Sequence, residues 1–169
     1  MKARATHGAS VDKTQNGWML RIPEGDSSGY RLAQLDDYFR LPRREFPHHS
    51  LDLSLRARTS AESTPGTWGF GVWNDPFGLS LGFGGNPFRL PTLPNAAWFF
   101  YASPQNYLSF RDDKPAQGFL AQTFQSRGGV TPPLLYSGLS FPFSRVRARR
   151  WLSQVIAEEG VALSVDVTQ

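Results

Sequence analysis

The chain has 169 residues and no cysteine, so it is long enough for one domain with a sizeable core, and disulfides and thiolate metal sites are excluded. Its 16 Gly and 13 Pro interrupt helices, whereas its 13 Phe, 5 Trp and 5 Tyr favour a turn-rich β structure. The net charge of +4 comes largely from one short segment that has no helix-turn-helix, zinc-finger or RNP-type motif, so no specific nucleic-acid partner is expected.

The first strand candidates follow a polar N-terminal stretch. Residues 1–15 lack hydrophobic periodicity and are predicted to form a flexible tail, so that a single domain spans residues 16–169. Residues 18–22 and 30–35 are short apolar runs separated by PEGDSSG, whose Pro, Gly, Asp and Ser favour a turn. The chain has neither the apolar core of a signal peptide nor an apolar run of membrane-spanning length, so a soluble cytoplasmic protein is expected.

The clearest alternation of apolar and polar residues lies in residues 51–59. This segment is predicted to be a half-buried strand with one face in the core and an Asp and two Arg on the other. The alternating apolar and polar residues are Leu51, Asp52, Leu53, Ser54, Leu55, Arg56, Ala57 and Arg58.

Two aromatic strands are predicted after the next turn. In TWGFGVWND, Trp68, Phe70 and Val72 share one face, and two glycines on the other face leave space beside Trp73. AWFFYAS, beginning at Ala97, is aromatic on both faces and is predicted to be a central strand buried on both sides. NYLSF and GFLAQTFQS are further strand candidates around the RDDKPAQ turn.

One segment, SRVRARRWLSQVIAEEG, has helical periodicity. Val146, Leu152 and Ile156 are among the residues that recur at roughly 3.6-residue spacing, and Gly160 is a stop signal. Many short strands with one short basic helix near the C-terminus predict an all-β antiparallel sandwich.

Several segments resemble a known superfamily. LDDYFRLPR, LDLSLRARTS, GTWGFGVWNDPF and AWFFYASPQNYLSF resemble uncharacterised bacterial proteins grouped with the concanavalin A-like lectins and glucanases, which include glycoside hydrolases of family 16 type. The resemblance covers residues 30–125 and is most specific at WGFGVWNDPF. It implies a jelly-roll β-sandwich of two curved antiparallel sheets, with ligands on the concave sheet or its rim loops, and it implies no single chemistry.

The chain departs from this superfamily in two ways. Laminarinase-like members carry an E-x-D-x-E run on one strand for retaining glycoside hydrolysis, and this chain has no such run, so no catalytic residue is assigned and a non-enzymatic role is expected. Proteins of this type also commonly continue past a segment like VALSVDVTQ, so the domain is expected to be truncated at its C-terminal end.

Short motifs for other chemistry have simpler explanations. Gly78–Gly82 spells G-x-S-x-G, but all three histidines precede Ser80, which favours a glycine-rich loop over a nucleophile elbow. His48 and His49 are adjacent and point to opposite sides of an extended backbone, so they are expected to be exposed loop residues. A calcium site at Asn74 and Asp75, with Asp36 or Asp37, lacks a loop motif, and no metal or cofactor is expected. A carboxylate pair of Glu45 and Asp52 stays open, with surface solvation as the favoured reading.

Five residues carry the predicted carbohydrate site: Trp73, Asn74, Asp75, Arg56 and Tyr101. Aromatic rings stack on the C–H faces of sugars, and planar polar groups reach the sugar hydroxyls. The leading hypothesis is therefore a non-catalytic lectin-like module that binds carbohydrate or another polyhydroxylated ligand on its concave sheet.

Two alternatives remain open. The first is a glycan hydrolase or lyase with a non-standard carboxylate pair. The second is an interaction domain whose basic helix, residues 145–156, contacts an acidic partner or an anionic membrane. The cations that would make this contact are Arg145, Arg147, Arg149 and Arg150.

Overall fold

The computed structural model describes residues 1–25, 31–36, 52–74, 93–126 and 152–164. Contacts divide the chain into two compact units. Unit 1 comprises Met1–Arg44 and Phe77–Thr92, and unit 2 comprises Glu45–Pro76 and Leu93–Gln169. The first two described stretches belong to unit 1, and the other three belong to unit 2.

The described part of unit 1 consists of four short strands. They are β1 (Lys2–Thr6), β2 (Ser10–Thr14), β3 (Gly17–Arg21) and β4 (Leu32–Asp36). β1 pairs antiparallel with β4, and β2 pairs antiparallel with β3. The predicted flexible tail therefore holds two strands, because backbone ladders order this polar stretch without the apolar alternation that marks a half-buried strand.

A tight turn joins β1 to β2. His7 and Gly8 both have positive φ, at 51° and 80°, and the Ala9 N–H donates to the Thr6 carbonyl at 3.1 Å. Positive φ at both central residues is the signature of a type I′ turn, and Gly8 adopts it without a Cβ penalty.

The described part of unit 2 is built on one antiparallel sheet. Its strands are β5 (Thr67–Trp73), β6 (Ala96–Ala102), β7 (Gly118–Ser126) and β8 (Ile156–Ala162), in the order β5-β6-β7-β8. Trp68 lies opposite Tyr101, which in turn lies opposite Phe119, and Trp73 lies opposite Ala96. Among the described residues the all-β class is therefore confirmed.

The sheet has a buried face and a partly exposed face, because successive side chains of a strand point to opposite sides. The buried face, called the core face, carries Trp73, Ala96, Trp98, Phe100, Leu120, Gln122, Phe124, Ile156 and Glu158. The other face, called the aromatic face, carries Trp68, Phe70, Phe99, Tyr101 and Phe119. The prediction that β6 is buried on both sides is wrong for one residue in particular, since Phe99 is 50% exposed.

The predicted C-terminal helix is largely a strand where the structure describes it. Residues 152–155 are helical, Ile156–Ala162 form β8, and residues 145–151 lie outside the described residues. Ile156 and Glu158 are buried whereas Glu159 is exposed, which is a period of two and not 3.6. Among the described residues, no helix is long and apolar enough to cross a membrane.

Two other strand predictions are also wrong. Residues 52–59 form no strand, although their alternation is the clearest in the sequence. Residues 106–110 belong to the connection between β6 and β7. Within this connection, the Leu108 N–H donates a hydrogen bond to the Ala116 carbonyl at 3.0 Å.

Candidate functional site

Trp73 lies on the core face at the end of β5. Its ring packs edge to face against Trp98, with centroids 6.2 Å apart, and against Phe100, with centroids 6.1 Å apart. It also packs against the buried cluster that contains Leu93 and Phe124. Trp73 therefore contributes its apolar area to packing, with only part of the ring in contact with solvent.

Tyr101 lies on the opposite face of the sheet. Its ring centroid is 5.0 Å from that of Phe119 and 6.1 Å from that of Trp68, and its hydroxyl lies 3.3 Å from the Ser63 Oγ. Because Trp73 and Tyr101 project from opposite faces, one ligand lying on either face cannot contact both rings. The structure thus separates the two rings of the predicted carbohydrate site.

The Asn74 side chain fastens the ends of two strands together. Its Nδ2 donates to the Leu93 carbonyl, and its Oδ1 accepts from the Asn95 N–H, each at 3.0 Å. Asn95 in turn accepts from the backbone N–H of Ser126 at 2.9 Å. These bonds tie the ends of β5, β6 and β7, so the Asn74 amide has a structural role.

The other predicted site residues do not join Trp73 or Tyr101 in the described structure. Arg56 is exposed within residues 52–59, and Asp75 lies outside the described residues. The remaining sequence candidates outside the described residues are Asp37, Glu45, His48, His49, Ser80 and the four arginines of residues 145–150. Within the described residues, no three His, Cys, Asp or Glu side chains are grouped to hold a metal ion.

The aromatic face offers a surface that the sequence reasoning missed. Phe99 sits at its centre, tilted 32° to the ring of Phe70 at a centroid distance of 5.7 Å. Across the next ladder Phe99 opposes Ala121, a small residue, and the Phe99 side chain is 50% exposed. The alternation of Trp68 and Phe70 within β5 is the sequence signal for this face, but it does not reveal which face is covered.

Polar side chains border the aromatic face on the β7 and β8 side. Thr123 and Gln125 are exposed and share this face with Phe99, and Thr123 lies opposite Glu159. Lys114 donates to the Glu159 carboxylate at 2.5 Å, and this hydrogen bond lowers the pKa of Glu159. The face thus combines a half-exposed ring with a hydroxyl, an amide and an ion pair.

The turn at residues 111–114 carries a second ion pair. Arg111 donates through Nε and Nη2 to the two carboxylate oxygens of Asp113, at 2.8 and 2.6 Å. This fork lowers the pKa of Asp113 to about 2 and raises that of Arg111. Both groups face water, so the pair fixes the local turn and adds little to global stability.

Two buried polar side chains occupy the core face. Gln122 accepts from the Trp98 Nε1 at 3.0 Å and donates to the Leu108 carbonyl at 3.2 Å. Glu158 is 1% exposed and accepts from the Phe110 N–H at 2.9 Å. Glu158 and Glu159 are adjacent on β8 and point to opposite faces, so they cannot flank one glycosidic bond as a catalytic pair.

The chain matches no protein-family model, no curated protein and no solved structure.

Proposed function

We propose that the protein is a non-catalytic binding module that holds carbohydrate on the aromatic face of its four-stranded sheet. The proposed site is centred on Phe99 and includes Trp68, Thr123 and Gln125. This sheet would form one layer of a concanavalin A-like jelly-roll sandwich, which is the architecture expected from the sequence resemblance.

The half-exposed ring of Phe99 is the observation that carries this proposal. A sugar presents a face of C–H groups that can stack on such a ring, and its hydroxyls need hydrogen-bonding groups at the edge of the stack. Thr123 and Gln125 offer a hydroxyl and an amide on the same face, and Ala121 leaves space between them and the ring. Phe99 replaces Trp73 as the stacking residue, whereas Tyr101 is buried and supports this face by packing against Trp68 and Phe119.

The buried position of Glu158 supports a binding role over a hydrolytic one. A glycosidase needs two carboxyl groups that face one cleft from either side of the scissile bond. In the described structure Glu158 is enclosed beneath the sheet, and Glu159 is paired with Lys114 on the other face. Neither group is placed to serve as acid or nucleophile for a sugar on the aromatic face.

A glycan array with three proteins tests the proposal. The parent chain is compared with Phe99→Ala and with Val161→Ala, which removes an aliphatic side chain that is 59% exposed on the same face. Stacking requires a ring, so binding should be lost in Phe99→Ala and kept in Val161→Ala. Equal losses in both variants would contradict stacking on the Phe99 ring, and a parent that binds no glycan would refute the proposal.

A further inference from the structure

The two outer strands of the described sheet differ in how they are protected. β8 carries Glu158 and Glu159, and Glu159 is paired with Lys114. β5, with the sequence TWGFGVW, ends the strand order at the other side and has no charged residue. Charges on an edge strand oppose pairing with another strand, so β5 is the edge that lacks this protection.

A second segment of the chain, residues 52–58, has the pattern of a strand that could pair with such an edge. Residues 52–58 alternate apolar and polar side chains, yet Leu53 and Leu55 are 50% and 43% exposed. Within the described structure, no hydrogen bond joins residues 52–58 to another residue. This segment has the pattern of a strand with one buried face, and no strand among the described residues pairs with it.

The connection between this segment and β5 is held by contacts to β6 and to Ser103, the residue that follows β6. Gly66 and Ser103 exchange two hydrogen bonds, from the Ser103 N–H to the Gly66 carbonyl at 3.0 Å and from the Gly66 N–H to the Ser103 Oγ at 3.1 Å. Ser63 contacts the hydroxyl of Tyr101, which belongs to β6, the inner neighbour of β5. Residues 52–58 belong to none of the sheets in the described structure, so this segment is not paired with β5 of its own chain.

We propose that residues 52–58 of a second copy of the chain add to the edge of β5 at residues 67–72, and that the two copies do this reciprocally. In the part of the chain that the structure describes, one segment is unpaired and one edge is unprotected, so reciprocal exchange satisfies both in a closed two-fold dimer. The inference is independent of whether the aromatic face binds carbohydrate.

The core face and the aromatic face of the sheet differ in chemistry, and this difference determines on which face Leu53 and Leu55 lie. Leu55 belongs on the core face opposite Gly71, which faces Trp98 across the β5–β6 ladder. Arg56 then lies opposite Phe70 on the aromatic face, where a guanidinium can stack on the ring. A shift of one residue would place Arg56 on the core face and expose the leucines, and burial of an unpaired guanidinium disfavours that register. The antiparallel register is Ser54 with Val72, Leu55 with Gly71, Arg56 with Phe70, Ala57 with Gly69, and Arg58 with Trp68.

Sedimentation velocity measures the predicted dimer directly. The parent chain should sediment at twice the monomer mass, and Leu55→Asp should return it to the monomer. Leu20→Asp is the matched control, because Leu20 is 47% exposed but lies on β3 in unit 1, and it should leave the dimer intact. A parent chain that remains monomeric would overturn the proposal, as would a dimer that is equally sensitive to both substitutions.

A disulfide test identifies the exchanged strand even if Leu55→Asp fails to fold. The parent has no cysteine, so the double variant Ser54→Cys and Val72→Cys contains the only two thiols. Oxidation should give a covalent dimer on a non-reducing gel that is lost on reduction. A disulfide within one chain would show that the segment folds back on its own β5, and no disulfide would show that the two strands do not meet; either result overturns the exchange.

Discussion

The Phe110 N–H donates a hydrogen bond of 2.9 Å to the Glu158 carboxylate, across 48 residues of sequence. The same carboxylate is 1% exposed, and its other oxygen has no hydrogen-bond partner within the described structure. Glu158 therefore pins the connection between β6 and β7 onto the core face and leaves one buried acceptor unsatisfied. The hydrogen bond to Phe110 stabilises the fold, whereas the unsatisfied buried oxygen destabilises it.

Replacement of Glu158 should separate these two effects. Glu158→Ala removes the acceptor for the Phe110 N–H and should lower the free energy of unfolding by about 1–3 kcal/mol. Glu158→Gln keeps a side-chain carbonyl that can accept this hydrogen bond. Its free energy of unfolding should therefore be close to that of the parent. Urea unfolding monitored by tryptophan fluorescence measures both variants. If the glutamine variant were as unstable as the alanine variant, the hydrogen bond to Phe110 would not be the main contribution of Glu158.

Gly69 is predicted to tolerate no side chain. A Cβ at this position would lie 2.6 Å from ring carbons of Phe100 and even closer to the Phe99 carbonyl oxygen. Gly69→Ala should therefore destabilise unit 2 by about 1–3 kcal/mol, because the Phe100 ring must move out of a packed core face. Gly160→Ala is the graded control, since its nearest contact would be the Gln122 side chain at 3.1 Å. Thermal unfolding should give the larger loss for Gly69→Ala; equal losses would contradict close packing of Phe100 over Gly69.

The two hydrogen bonds from Arg111 to the Asp113 carboxylate should control the pKa of Asp113. Carboxyl NMR should give the parent a pKa of about 2 for Asp113, below its ordinary value of 3.8. Arg111→Gln removes the hydrogen bonds and should raise the pKa towards the ordinary value, whereas Lys114→Gln should change it less because Lys114 makes the smaller contribution. An Asp113 pKa that is unchanged in Arg111→Gln would show that the fork does not hold in solution.

The sign of the accompanying pH effect follows from this lowered pKa. A folded-state pKa below the ordinary value means that the ion pair contributes its stability above pH 3.8 and loses it as the pH falls towards about 2. Because both side chains face water, the effect is confined to the local turn and should weaken as salt is added.

The sequence predicts the strands of unit 2 well where a segment pairs with its neighbours along the chain. GFLAQTFQS coincides with β7, and TWGFGVW gives β5 with its two faces assigned as the structure has them. Both segments combine β-branched or aromatic residues with flanking turns, which are local properties. The all-β class follows from the same local signals.

Properties that depend on distant partners could not be predicted in this way. Residues 51–59 have the clearest alternation, but alternation reports only that a segment is amphipathic and not whether a neighbouring strand is present. Ile156 fits a helical period with Leu152 and also a strand period with Glu158, so the boundary depends on pairing with Ser126.

The placement of the candidate site failed for a similar reason. Both faces of the sheet carry aromatic residues, and alternation alone does not show which face is covered. The choice of Trp73 over Phe99 therefore required tertiary information: Trp73 packs against Trp98 and Phe100, whereas Phe99 is half exposed.

Titration of a glycan ligand from the array into two variants tests the central claim, that the binding surface is the aromatic face. Phe99→Ala removes the proposed stacking ring and should weaken affinity about tenfold, which corresponds to about 1.4 kcal/mol. Trp73→Phe keeps a ring on the core face and should leave the affinity close to that of the parent. Calorimetry giving this order would support the aromatic face as the site; full affinity in Phe99→Ala together with lost binding in Trp73→Phe would contradict it.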